Sequence, residues 1–336
     1  MQLPSRAFDS PASIGEALVV GSEVSQTLVR LVAINYAARG TNLYTFATLD
    51  GAPLAAAQPG AHITLHLPNG LERQYSLIRC DEAKRTYQVA VKLDAASRGG
   101  SAFVHKDLRV GDEIPVKGPE NHFPLHLNAP YTVFIAGGIG ITPIWCMIQK
   151  LEALGRSYEL HFASRTRAEA AFLTEIAATG RVSFHFDDEQ GGRVLDVGSI
   201  LQAAPRDAHV YCCGPAPMLR AFEAATKDWP EDQIHVEYFM PKEERATDGG
   251  FVVALNRSKK EFRVPKGKTI LEVLEEAGIS VPASCEQGVC GTCETRVVSG
   301  IPDHRDSILT PKERAENKTM FICCSGSKSD RLVLDL

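Results

Sequence analysis

Four cysteines constrain this chain more than any other feature. Cys285, Cys290, Cys293 and Cys323 are separated by four, two and twenty-nine residues, the plant-type spacing for a [2Fe–2S] cluster. Ligand count explains the pattern. Two irons bridged by two sulfides need four protein thiolates; one loop supplies three and wraps the cluster, and a distant segment supplies the fourth. Such a loop must turn tightly and aim N–H groups at sulfur. Gly288 and Gly291 permit positive φ, and the small Ala283, Ser284 and Thr292 let the backbone come close. Read from residues alone, other uses stay open: a redox dithiol at Cys290-x-x-Cys293, a zinc site, or buried structural thiols. Zinc knuckles usually pair two x2 hairpins, and only one is present here. Cys324 adjoins Cys323; the spacing favours Cys323, and in a strand Cys324 would point the other way.

The chain's 336 residues suffice for two domains, or three small ones. A net charge of −5, from 36 basic and 41 acidic residues, argues against a strongly basic nucleic-acid binder. Residues 1–13 carry Arg6 and Asp9 and lack an apolar core, so they do not read as a signal peptide. A cytoplasmic protein with reduced or metal-bound cysteines is the expectation. Residues 127–149 are uncharged and long enough to span a bilayer. Pro130, Gly137, Gly138, Gly140 and Pro143 fit a strand, a glycine turn and a buried helix better, so no membrane association is expected.

Hydrophobic patterning divides the chain. Residues 1–21 read as an N-terminal arm. Within 22–127, short strands at 26–35, 43–49, 61–67, 73–78 and 86–92, and a last one ending at 117–119, suggest an antiparallel β-barrel. Within 128–240, strands at 131–136, 158–164, 182–187, 209–213 and 235–239 alternate with helices at 142–154, 167–178, 194–203 and 217–225, the pattern of an α/β domain with a parallel sheet. Residues 241–250 read as a linker. Residues 251–336 open with strands at 251–256 and 261–264 and a helix at 269–277 ending on Gly278.

The segment Cys285-Glu-Gln-Gly-Val-Cys-Gly-Thr-Cys, followed by Asp303-His304-Arg305-Asp306, resembles the C-terminal ferredoxin domain of the phthalate dioxygenase reductase and vanillate O-demethylase reductase family. The resemblance covers residues 24–336 and implies three domains in that order, the last a β-grasp (α+β) plant-type ferredoxin domain.

Arg73-Gln74-Tyr75-Ser76 places an arginine, an aromatic ring and a hydroxyl on one strand, which suits a flat anionic ligand or plain surface decoration. The resemblance implies a flavin, with Arg73 on its phosphate, Tyr75 against the isoalloxazine and Ser76 at the N5 edge. Val91-Lys92-Leu93 and Ser97-Arg98-Gly99-Gly100-Ser101 lead into a helix, where N–H groups can meet a phosphate or simply cap the turn. Residues 118–125, Gly-Pro-Glu-Asn-His-Phe-Pro-Leu, resemble the branch of the family that uses FMN.

Gly137-Gly138-Ile139-Gly140-Ile141-Thr142-Pro143 follows a strand and opens a helix, as a pyrophosphate turn or a packing turn would. The resemblance implies a pyridine-nucleotide site there, with Thr142 near the nicotinamide, and places Cys213, of Cys213-Gly214-Pro215, beside it. It also implies an aromatic at the flavin face, for which Phe239 is the candidate. Ser76, Cys213 and Phe239 are thus the candidate catalytic residues. Gln74, Gly99, Gly100, Ser101, Gly138, Gly140, Pro143 and Gly214 join the binding set. Arg165 and Arg167 could meet a 2′-phosphate or be solvated; the resemblance favours NADH.

NADH gives two electrons at once and a [2Fe–2S] cluster takes one, so a flavin between them is chemically required. The resemblance implies a monomeric reductase that passes single electrons to a separate Rieske-type terminal oxygenase acting on an aromatic acid or a methylated compound. A cytochrome P450 or a ferric chelate is the alternative acceptor, and a non-catalytic iron–sulfur redox sensor the alternative role. Residues 251–336 carry 13 basic and 12 acidic side chains, too balanced for strong steering of a partner. Asp303-His304-Arg305-Asp306 reads as a salt-bridged turn, or as a docking or interdomain segment.

Overall fold

A computed structural model describes residues 26–79, 86–95 and 97–336. The expected N-terminal arm lies outside them. The first unit is built from β1 (Thr27–Ala38), β2 (Thr41–Thr48), β3 (His62–His66), β4 (Glu72–Ser76), β5 (Thr86–Lys92), α1 (Gly100–Lys106) and β6 (Glu113–Glu120). Its antiparallel strands run in the order β4-β3-β6-β1-β2-β5. A bridge between Leu77 and Val89 joins the two edges and closes the sheet into the expected barrel. Alternate residues such as Val29, Leu31, Ile63 and Leu65 point inward and are fully buried.

The second unit comprises β7 (Thr132–Gly137), α2 (Ile141–Ala153), β8 (Tyr158–Ser164), α3 (Leu173–Ala178), β9 (Val182–Phe186), α4 (Val197–Ala203), β10 (His209–Cys213), α5 (Ala216–Ala225) and β11 (Ile234–Glu237). Its sheet is parallel, in the order β11-β10-β7-β8-β9. Strand order reverses between β7 and β10, and a crevice opens at the carboxyl ends there. Three expectations need correction. The helix expected over 167–178 is broken, because Ala170, Ala171 and Phe172 dive into the core and Phe172 takes φ 59°. Its ring stacks on Trp145 at 6.2 Å, and only Leu173–Ala178 is α-helical. The helix expected from residue 194 begins at Val197, where the Asp196 side chain accepts from the Ser199 N–H. The last strand ends at Glu237, leaving Phe239 beyond it.

Barrel and nucleotide unit share a core: Ala38, Ile78, Ala90 and Phe123 pack with Phe134, Ile144 and Tyr211. Arg39 donates to Glu169 at 3.0 Å and Gln149 to the Ile78 carbonyl at 2.8 Å across the junction.

The third unit contains β12 (Phe251–Leu255), β13 (Glu261–Val264), α6 (Ile270–Glu276), β14 (Glu294–Ser299), β15 (Pro302–Asp303), α7 (Pro311–Glu316), β16 (Thr319–Phe321), β17 (Gly326–Ser327) and β18 (Arg331–Leu334). The order β13-β12-β18-β14-β16, with β12 and β18 parallel at the centre, is a β-grasp sheet with α6 packed in its core. Thr269 and Glu272 cap α6 reciprocally, and Gly278 closes it at φ 73°. The segment read as a linker is held down: Lys242 N–H donates to Ser307 Oγ at 2.9 Å and Ala246 N–H to the Cys324 carbonyl at 2.8 Å.

Candidate functional site

Cys285, Cys290 and Cys293 lie on the irregular loop before β14, and Cys323 in the turn after β16. Glu286, Gly288 and Gly291 take φ of 54°, 69° and 83°, which bends the loop round the thiols. N–H groups turn toward sulfur as the chemistry requires: Gln287 N–H donates to Cys285 Sγ at 3.3 Å, and the Gly288 N–H serves Cys323. The thiols associate in two pairs, Cys285 with Cys290 and Cys293 with Cys323. No three of them lie mutually within 4.8 Å. Four thiols grouped in two pairs, three from one loop and one from a distant turn, fit the donor set that two irons need. The strand argument for Cys324 does not apply, because residues 322–324 form a turn. Its Sγ instead packs over Gly288, where a Cβ would lie 2.5 Å away, and donates to the Phe321 carbonyl.

Gly288 has no room on its other side either, since Asp306 Cα would be 2.9 Å from a Cβ. Asp306 is fully buried and accepts from the Ile308 and Leu309 N–H groups at 3.0 and 2.7 Å. Arg305 grips Asp303 at 2.8 Å and faces Glu243, before β12, at 3.6 Å. The Asp303–Asp306 motif is therefore a salt-bridged turn that buttresses the cluster loop and ties in the segment leading to β12.

A cavity of about 330 Å³ opens where the three units meet. From the barrel, Arg73, Gln74, Tyr75, Ser76, Val91, Lys92, Gly100 and Ser101 line it; from the nucleotide unit, Ile139, Thr142, Glu237 and Phe239; from the cluster loop, Ser284 and Cys285. Arg73 lies flat over Gly100, where a Cβ would stand 2.4 Å from its Nε, and donates to the Glu72 and Arg98 carbonyls. Burial and the neighbouring Arg98 pull its pKa down. Ser101 Oγ donates to Ser97 Oγ at 3.0 Å, and α1 starts from Gly99 at φ 91°. Lys92 spends its ammonium on Glu169 at 3.2 Å. Burial pushes the Tyr75 phenol up. Gln74 Nε2 and Ser284 Oγ are buried without a hydrogen-bond partner. Two orphaned polar atoms and a cationic side chain facing one cleft fit a flat, anionic, hydrogen-bonding group such as a flavin mononucleotide.

Of the other sequence candidates, Gly99, Gly138, Gly140, Pro143, Cys213 and Gly214 do not line this cavity. Gly140 is pressed on β10: a Cβ there would lie 2.2 Å from the Cys213 carbonyl oxygen. Gly137 and Gly214 are wedged against Pro215 and Met218, and Pro143 is buried in α2. Gly138 alone of this turn is open, at φ 54°. Thr142 Oγ1 donates to the Ile139 carbonyl at 3.0 Å. Cys213 is fully buried, its Sγ 3.9 Å from Glu237 Oε2. Glu237 stands between Cys213 and the cavity, and burial pushes its carboxyl up to about 8. Sequence reasoning passed over Glu237 in favour of Phe239, although it ends a parallel strand at the ligand-binding edge. Phe239 lines the cavity and is 40% exposed. Arg167 is paired with Glu189 at 3.0 Å and stacked on Phe186, while Arg165 is exposed.

Residues 253–327 match the model of the 2Fe-2S iron-sulfur cluster binding domain family. The whole chain is similar to phenoxybenzoate dioxygenase subunit beta of Ectopseudomonas oleovorans, 51% identical over 92% of this chain and 97% of that one. Among solved structures, phthalate dioxygenase reductase, described as a modular structure for electron transfer from pyridine nucleotides to [2Fe–2S], is 36% identical with a TM-score of 0.69, covering 93% of this chain and 98% of that one. An intact type IV self-sufficient cytochrome P450 monooxygenase matches with 39% identity and a TM-score of 0.84 over 93% of this chain, but only 41% of its own length is covered. No helix of the described residues is long and apolar enough to cross a membrane.

Proposed function

The chain belongs to the family of phthalate dioxygenase reductase and vanillate O-demethylase reductase, NAD-dependent flavin and [2Fe–2S] oxidoreductases that serve as reductase components of oxygenase systems, and from that premise we propose that it draws hydride from NADH onto FMN and passes single electrons through its cluster to a separate Rieske-type oxygenase. One observation carries this reading: barrel, nucleotide unit and cluster loop all wall a single cavity. The flavin supplies the conversion between a two-electron donor and a one-electron acceptor.

The chain's own residues bind and orient. Arg73, seated on Gly100, supplies the cation for the phosphate, and Ser101 the hydroxyl beside it. Tyr75 and Phe239 supply aromatic faces, Gln74 and Ser76 hydrogen-bonding groups. Gly138 leaves the turn open to a pyrophosphate, while Gly140 and Gly214 let the two turns pack beneath it. Burial raises the Glu237 carboxyl to about 8, which favours its protonated form beside the nicotinamide site. Cys285 alone of the four cysteines lines the cavity, so a cluster held by these thiols would present that edge to the flavin. A soluble, cytoplasmic monomer is part of the same reading.

The P450-linked structure gives a second acceptor its claim, since 41% of that chain is this architecture. NADH-coupled turnover with purified partners separates them. Product formation with a Rieske oxygenase and none with a bacterial P450 supports the proposal; the reverse result replaces it.

A further inference from the structure

Two histidines and a glutamate stand together at the rim of the cavity, outside the roles assigned above. His62 of β3 and Glu120 of β6 are cross-strand partners, and His122 follows Glu120 by two residues. A nitrogen of each imidazole and a carboxylate oxygen all lie within 4.8 Å of one another. His62 Nε2 is 3.9 Å from Glu120 Oε2, and the two rings are 5.6 Å apart. His62 is only 7% exposed, and its Nε2 has no hydrogen-bond partner. A buried nitrogen left unpaired is costly and asks for a ligand. Glu120 Oε1 faces Lys117 Nζ at 3.6 Å, which leaves Oε2 on the histidine side.

We propose that His62, Glu120 and His122 form a binding site for a divalent transition-metal ion, with Zn²⁺ the best match. Two imidazoles and one carboxylate are the donor set of three-ligand zinc sites that keep a fourth position open. Bonds of ~2.0–2.2 Å would set the donors about 3.4 Å apart. Glu120, whose side chain is 27% exposed, and the exposed His122 have the freedom to close that distance on the fixed His62. His62 and His122 also line the cavity. His122 also abuts the cluster loop, since a Cβ at Gly291 would lie 3.1 Å from its Nε2. A bound ion would fasten the barrel rim beside that loop.

Titration calorimetry with Zn²⁺, on the purified protein carrying its flavin and cluster and first stripped with a chelator, tests the site. The expected result is one ion per chain, with Glu120→Gln and His122→Gln each weakening binding about tenfold or more. Melting temperature of both variants must match the parent, which separates a lost ligand from a lost fold. X-ray absorption at the zinc edge should show nitrogen and oxygen neighbours only. No binding at millimolar Zn²⁺, unchanged affinity in either variant, or sulfur in the zinc shell would overturn the proposal; sulfur would mean that the ion had taken the cluster's cysteines.

Discussion

Two glycine-rich turns lie close to the cavity, and glycine serves them for different reasons. In the cluster loop, Gly288 and Gly291 take φ of 69° and 83°, a conformation that bends the chain round four thiols. In the nucleotide unit, Gly140 and Gly214 keep negative-φ backbone and are glycine for want of space, since any Cβ would strike the neighbouring turn. The first loop is dictated by what it must hold. The second is dictated by how closely β7 and β10 must meet at the switch point, so that one open position, Gly138, is left above them. A glycine in a site is thus a poor index of ligand contact until its φ and its neighbours are known.

The sharpest break in this comparison is at the thiols. Cys293→Ser should abolish the cluster, with iron and labile sulfide falling to near zero, while NADH still bleaches the flavin; visible spectra and metal analysis check both halves. Next, Gly140→Ala should cost about 3 kcal/mol in stability through overpacking and impair NADH oxidation, whereas Gly138→Ala should cost only about 1 kcal/mol of backbone strain. Equal melting temperatures for the two would dissolve the distinction between space and conformation.

The buried titrating groups of the nucleotide unit give it a pH signature. His235, stacked on Tyr211, His209 and His126, has its pKa pushed down to about 3 by burial and its histidine neighbours. A depressed histidine is protonated more readily when unfolded, so stability falls as pH drops below about 6.5, by on the order of 3 kcal/mol at pH 4. Glu237 has the opposite sign: raised to about 8, it favours the fold at low pH and loses that contribution as pH rises from about 4.5 through 8. Between about pH 4.5 and 6.5 the two slopes oppose and nearly cancel, so denaturant melts should weaken below about pH 4.5 and between about 6.5 and 8, and Glu237→Gln should remove the alkaline limb.

Smaller effects probe the supports. Gly100→Ala should displace Arg73 and raise the FMN dissociation constant about tenfold, as loss of one charge-assisted contact would; fluorescence of released flavin measures it. Arg305→Ala removes half-exposed ion pairs to Asp303 and Glu243 and should cost only about 0.5–1 kcal/mol, visible as a small drop in melting temperature.

Much of this was legible in the residues. The cysteine spacing is readable because ligand count fixes it, and β5, β8, β10 and β13 fall where apolar runs sit between turn residues. What escaped depends on the fold. Residues 170–172 continue a helical pattern but turn inward, because Phe172 meets Trp145. Asp196 as a helix cap was available as a signal and went unused. Ser284, Glu237, His62 and His122 gain meaning only once three units place them round one cavity, and no local pattern marks that convergence.

The central claim is that one cavity couples nicotinamide, flavin and cluster in a single chain. An anaerobic visible titration of the purified protein with NADH tests it most directly. The account predicts loss of the flavin band together with loss of the broad iron–sulfur absorbance. Flavin bleaching with a cluster that stays oxidised, or no response to NADH at all, would contradict it.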